Sequence, residues 1–162
     1  MSVAIRPATL DDLPVIKAMM REFVDYLNAI DEPEDVPDEE IAHIESMAFG
    51  DAAPCRILIA QLDGNTAGYL TYFWGMSMDG VAPALFVGDL FIKAEHRKRQ
   101  VGRDLMEHAR AIALAAGATQ VNWTVWRKNR AAQAFYRSIG AREYSEEILM
   151  TWPAGPSTGK GD

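Results

Sequence analysis

The chain has little of what a disulfide scaffold or a metalloprotein is built from. It has one cysteine, Cys55, and three histidines, His43, His96 and His108. A single cysteine cannot close an internal disulfide, so a stapled secreted fold is excluded and a reducing, cytoplasmic setting is expected. The histidines show no ligand spacing with one another or with Cys55, and no metal site is expected. Positive charge is also scarce: 16 basic side chains face 23 acidic ones, a net charge of −7. That argues against a nucleic-acid partner and favours small cationic ones. No apolar run is long enough to span a bilayer, and the opening MSVAIRPAT has no apolar leader core, so no membrane partner is expected. Neither GxxxxGK[ST] nor GxGxxG occurs, which removes the common nucleotide loops.

What is there is an ordinary globular composition. Of 162 residues, 49% are hydrophobic and 24% charged, enough for one domain with a real core over 1–152. The stretch PAGPSTGKGD, 153–162, predicts a disordered tail.

The rest is organised around 85–103, LFVGDLFIKAEHRKRQVGR. Leu85, Val87, Asp89 and Phe91 alternate with Phe86, Gly88, Leu90 and Ile92, a strand covered on both faces. From Val101 the period becomes helical through Leu105, Ala109, Ile112 and Ala116, and Gly117 ends it. A helix start leaves backbone N–H groups pointing outward with partial positive charge, a ready place for phosphate. Gly102 clears space there, and Arg97, Lys98, Arg99 and Arg103 add full charges. A basic cluster alone is usually a solvated surface; the strand–loop–helix context favours an anion site.

Elsewhere the chain reads as alternating elements. Val3–Arg6 is a strand. Thr9 caps a helix carrying Leu13, Ile16, Met20, Phe23, Leu27 and Ile30, which Pro33 stops. Asp31 to Glu40 holds seven acids and no base, either a solvated loop or a collar for a cationic substrate. Ile41 to Phe49 is a short helix, Arg56 to Ala60 a strand, Asp63-Gly64-Asn65 a hairpin turn and Ala67 to Trp74 the returning strand. Val121 to Trp126 is a further strand. Asn129 caps a helix that turns Ala131, Ala134 and Phe135 inward, Gly140 ends it, and Ala141 to Thr151 is a last strand. Cys55 opens an apolar run and reads as a buried structural thiol.

The loop resembles the RxxGxG element of the GNAT acetyltransferase superfamily, with Arg97 and Gly102 in place and Gln100 where the first glycine stands. Asn129-Arg130-Ala131-Ala132-Gln133-Ala134-Phe135-Tyr136 is similar to its second signature, NxxAxxFY. The resemblance runs from about Ile5 to about Met150. It is nearest the spermidine/spermine (diamine) branch, through Ile5-Arg6-Pro7-Ala8-Thr9, Asp89-Leu90-Phe91-Ile92 and Phe135-Tyr136 with Gly140-Ala141. It implies an α+β GNAT fold whose mixed sheet splays between the fourth and fifth strands, with acetyl-CoA threaded there. It assigns the pantetheine arm to the backbones of Leu90, Phe91 and Ile92, and the diphosphate to Lys98, Arg99, Gln100, Val101, Gly102 and Arg103, with Arg97 in the same loop and Asn129 near the pantetheine end. It makes Tyr136 the acid that meets the leaving thiolate, and it implies a homodimer.

The acceptor side is less complete. A primary ammonium with a pKa near 10.4 must lose a proton, at a cost of about 4.6 kcal/mol at pH 7, so a base is useful. The diamine branch has a glutamate where this chain has Gly88, and another where it has Leu27. Asp89 and Tyr26 are retained. The base is therefore Asp89, a carboxylate of the 31–40 loop, or water. Tyr26, Tyr72 and Trp74 are candidates to line an amine pocket, although aromatics at such spacings are more often core. The expected activity is acetyl transfer from acetyl-CoA to a small primary amine by direct attack. The rivals are a CoA-binding sensor without catalysis and an acetyltransferase acting on protein N-termini or lysines.

Overall fold

Five strands make one sheet in the order β1 to β5. They are β1 Val3–Pro7, β2 Arg56–Leu62, β3 Asn65–Met76, β4 Pro83–Ile92 and β5 Gln120–Asn122. The first four pair antiparallel, and β4 pairs with β5 in parallel. The helices are α1 Leu13–Asn28, α2 Asp38–Ala42, α3 Ile44–Ala48, α4 Val101–Ala115 and α5 Arg130–Ser138. The computed structural model describes residues 2–31, 35–144 and 147–155. The chain divides into two compact units, Met1–Arg130 and Ala131–Asp162.

In the first unit, β2 and β3 meet through the two-residue turn Asp63-Gly64. Both residues have positive φ, 49° and 83°, the twist a tight hairpin needs. Across the sheet Leu58 pairs with Leu70 and Leu70 with Leu90. On this face lies α4, whose Val101, Leu105, Ala109 and Ala113 are buried. A Schellman arrangement ends α4: the Ala118 N–H donates to the Ala113 carbonyl, the Gly117 N–H donates to the Leu114 carbonyl, and Gly117 has φ 75°. On the other face Ile16 and Met19 of α1, with Ala48 of α3, pack on Ile57, Ile59, Tyr69 and Phe91. Met19 completes a stripe that the sequence spacing carried only through Ile16 and Met20. Asp12 ties β1 to α1. Its carboxylate accepts both Arg6 guanidinium nitrogens at 2.7 Å and the Thr9 N–H at 2.8 Å. The Arg6 hydrogen bonds hold its pKa down at about 2.

Several expectations need correction. Thr9 precedes a 3₁₀ turn, Leu10–Asp12, before α1 begins. Helix α1 ends at Asn28, and Pro33 lies outside the described residues, as do Glu32 and Glu34 of the acidic stretch. The single helix expected over 41–49 is two short ones, beginning at Asp38 and broken at His43. The strand expected over 121–126 is three residues, Gln120–Asn122. Strict alternation along β4 fails at its middle, between Val87 and Leu90.

In the second unit, α5 ends as expected: Gly140 takes φ 91°, and the Ala141 N–H donates to the Tyr136 carbonyl. Ala131 and Ala134 are exposed, not turned inward, while Phe135 is half-buried. Residues 141–144 and 147–151 form no strand, and 145–146 lie outside the described residues. So does most of the tail, 156–162. Among the described residues no helix is long and apolar enough to cross a membrane.

Candidate active site

Strand β4 has two features that a regular strand lacks. Its pairing with β5 stops at Phe86–Asn122, while β4 runs on to Ile92. Past that point the backbone from Val87 to Ile92 has no strand partner on the β5 side among the described residues, which leaves that edge open to a ligand apart from the Ile92 carbonyl, which accepts from Arg97, and the Asp89 N–H, which donates to Thr71.

The second feature is a bulge. Val87 pairs with Tyr72 and Leu90 with Leu70, so two residues, Gly88 and Asp89, stand opposite the single Thr71. Val87 and Leu90 therefore share one face, and Asp89 and Phe91 share the other. Gly88 is required here: a Cβ on it would lie 2.7 Å from Thr71 Oγ1. That hydroxyl is engaged, accepting the Asp89 N–H at 2.7 Å. Thr71 thus fills the space that a side chain at Gly88 would need.

Asp89 is half-buried on the α1 side, and burial pushes its carboxyl above the usual carboxylate range. Tyr69, wholly buried, pairs with Phe91 two residues further along the same face. Burial, with the Asp89 charge adding to it, pushes its phenol well above the ordinary value. Cys55 is half-buried, and its thiol donates to the Met47 carbonyl at 3.1 Å. Burial raises it, Arg56 opposes, and Asp89 adds a smaller upward push.

Tyr26 lies on α1, and its hydroxyl donates to Asn129 Oδ1 at 3.1 Å. The Arg97 guanidinium sits 4.8 Å from the Tyr26 ring centroid and 5.9 Å from that of Phe91. Its Nε donates to the Ile92 carbonyl at 3.0 Å. The structure thus gathers Tyr26, Phe91, Arg97 and Asn129 together. Tyr72 is half-buried, and Trp74 is 44% exposed with its ring edge-on to Tyr72; Trp74 is not core.

The basic loop leads into α4. Gln100 precedes the helix with φ 66°, and Lys98 has φ 61°. Both hold the left-handed backbone that glycine adopts freely. The loop therefore keeps the shape of a glycine at position 100 with glutamine in its place. Lys98, Arg99 and Arg103 are exposed, Gly102 is partly buried, and Val101 is buried beneath the helix start. Amides of the first turn of α4, an exposed cationic rim and the open edge of β4 fit a diphosphate on an extended amide-bearing arm.

Tyr136 lies on α5 in the second unit, its ring 5.2 Å from that of Phe135. In the acidic stretch, Asp38 pairs with Arg21 and Asp31 with Lys128. Arg21 also donates to the Val36 carbonyl at 2.6 Å. Among the described residues no group of three His, Cys, Asp or Glu side chains could hold a metal ion.

The Acetyltransferase (GNAT) family matches residues 16–141, and the chain belongs to it. It is an acetyltransferase of the GNAT type, in a family that uses acetyl-CoA as co-substrate. A thialysine N-epsilon-acetyltransferase of Sus scrofa is 26% identical over 153 residues, covering 90% of this chain and 87% of that protein, which is consistent with the diamine branch. The fold is shared with a possible acetyltransferase of Clostridium difficile 630, at TM-score 0.79 and 14% identity over 96% of this chain and 100% of that one. It is also shared with an aminoglycoside acetyltransferase from an uncultured soil metagenomic sample in complex with sisomicin. That match has TM-score 0.70 and 18% identity over 93% of this chain and 97% of that one.

Proposed function

We propose that the protein transfers an acetyl group from acetyl-CoA to a primary amine of a small cationic substrate by direct attack. The observation that carries this is β4 itself: one strand offers an edge without a strand partner among the described residues for a cofactor arm and, at its bulge, a half-buried carboxylate for an ammonium.

Acetyl-CoA supplies the acyl group as a thioester. The backbones of Leu90, Phe91 and Ile92 hold its pantetheine arm, with Asn129 at the far end. Lys98, Arg99, Gln100, Val101, Gly102 and Arg103 hold the diphosphate at the start of α4, and Arg97 belongs to the same loop. Tyr26 and Asp89 bind the acceptor. Asp89 takes the ammonium proton; a carboxyl pushed up by burial is better matched to that transfer than an exposed one. The freed nitrogen bonds to the acyl carbon, and the carbon–sulfur bond breaks. Tyr136 donates a hydrogen bond to the thiolate as it leaves. With Gly88 opposite Thr71, the bulge presents one carboxylate to the amine, where the diamine branch presents two.

The reading includes one acetyltransferase domain over 1–152, a cytoplasmic setting supported by the lone cysteine, and a homodimer resting on the resemblance. Thiol release from acetyl-CoA with a panel of diamines, thialysine, aminoglycosides and peptides tests it. Turnover with a small amine is expected. Turnover with peptides alone, or CoA binding without turnover on any member of the panel, would overturn it.

A further inference from the structure

Strand β3 turns two hydroxyls toward the Asp89 bulge. Thr71 and Tyr69 are two residues apart, so they share the α1 face of the sheet, where Asp89 and Phe91 also lie. The Thr71 hydroxyl is already used, fixing the backbone at Asp89 N. The Tyr69 hydroxyl is buried without a hydrogen-bond partner among the described residues. A buried phenol left so costs about 1–3 kcal/mol. A hydrophobic core would use phenylalanine, which packs the same ring.

The surroundings narrow what that hydroxyl serves. The cluster covering Tyr69 from α1 and α3 is apolar, being Ile16, Met19, Met20, Phe23, Ile44 and Ala48. The titratable and charged groups near this face are few. On α1, the Tyr26 hydroxyl is committed to Asn129, Lys17 pairs with Glu45 of α3, and Arg21 pairs with Asp38 of α2. Before β2, the Cys55 thiol is committed to Met47, and the Arg56 guanidinium to the Ala53 and Cys55 carbonyls. After β4, Arg97 is committed to Ile92. Asp89 remains, diagonal to Tyr69 across one strand pair and within reach of a tyrosine side chain.

We propose that Tyr69 is a positioning residue that acts through Asp89, its hydroxyl donating to the carboxylate across one water. Thr71 then fixes the backbone of the base, and Tyr69 fixes its side chain and favours its ionised form. This rests on the reading of Asp89 as the base that receives the acceptor's proton. Phenol donation opposes the upward push that burial gives the carboxyl, so Asp89 works as a base at lower pH than burial alone would allow.

The test is Tyr69→Phe in the full chain, which keeps the ring. Carbon-13 NMR of the Asp89 carboxyl carbon is followed against pH. The midpoint in Tyr69→Phe should rise by about one pH unit, while Tyr72→Phe, on the opposite face, should leave it in place. The acidic limb of kcat/KM for the amine should move up by the same amount, with KM for acetyl-CoA unchanged. An Asp89 midpoint that does not move overturns the proposal. So does a midpoint that moves without the acidic limb following. A second reading needs no variant at Tyr69: with tyrosine ring carbons labelled, the Tyr69 signal of the native protein should follow the Asp89 titration and lose that step in Asp89→Asn. If no amine is acetylated by the native protein, the function reading fails, and the NMR titration still decides the link.

Discussion

On the α4 side of the sheet, Leu58, Leu70 and Leu90 stand in one row across three strands, beneath a helix face of Val101, Leu105, Ala109 and Ala113. On the α1 side the neighbouring rows are mixed. Ile57 is followed by Thr71 and then by the Gly88–Asp89 bulge, and Ile59 by Tyr69 and Phe91. The same three strands thus build an apolar floor on one face and set a carboxylate and two hydroxyls among apolar side chains on the other. The difference shows how a small sheet carries chemistry without losing its core. One face is left to hold the fold, so the other tolerates a bulge, a half-buried acid and an orphaned phenol. The bulge makes this possible, because it moves Asp89 onto the α1 face while Val87 and Leu90 keep the α4 face apolar.

Substitutions on the two faces should separate. The largest effect belongs to Asp89→Asn. Steady-state turnover of the amine should fall by roughly 10²- to 10⁴-fold, with a thermal midpoint no lower than that of the native protein. A small drop in turnover would move the base elsewhere. Leu105→Ala, wholly buried on the α4 face, should cost about 2–5 kcal/mol in denaturant unfolding and leave the pH profile of the surviving activity unchanged. A shifted profile would break the division between the faces. The smallest effect belongs to neither face. Gln100→Gly relieves a left-handed non-glycine residue at the start of α4 and should stabilise by about 0.5–1 kcal/mol. If urea unfolding shows a loss instead, the glutamine side chain holds the loop.

Much of this was legible in the sequence, and the exceptions have physical causes. The turn at Asp63-Gly64, the start of α4 at Val101 and its end at Gly117 follow from local chemistry, and each stands where the residues put it. The strand–loop–helix order over 85–103 is present as well. What could not be read was register. Alternation put Asp89 on the face of Leu85 and Val87, and only pairing with β3 shows the extra residue that moves it across. Gly88 stood out as a missing glutamate, but its reason, the Thr71 hydroxyl in its space, is a contact between residues distant in sequence. Tyr69 and Thr71 were visible as one face of a strand, with nothing local to mark them as neighbours of an acid. β5 is shorter than the alternation suggests and residues 141–144 and 147–151 form no strand, because apolar alternation gives strand propensity without saying whether a partner edge is present.

The central claim is that coenzyme A lies along the start of α4 and the open edge of β4, apart from the carboxylate that receives the amine. Calorimetric titration of CoA into the native protein, Asp89→Asn, and a Lys98→Ala, Arg99→Ala, Arg103→Ala triple variant tests it directly. The account predicts affinity within about twofold of native for Asp89→Asn, and a loss of at least about tenfold for the triple variant as its charge-assisted phosphate contacts disappear. Native affinity in the triple variant, or no CoA binding by the native protein, would contradict it.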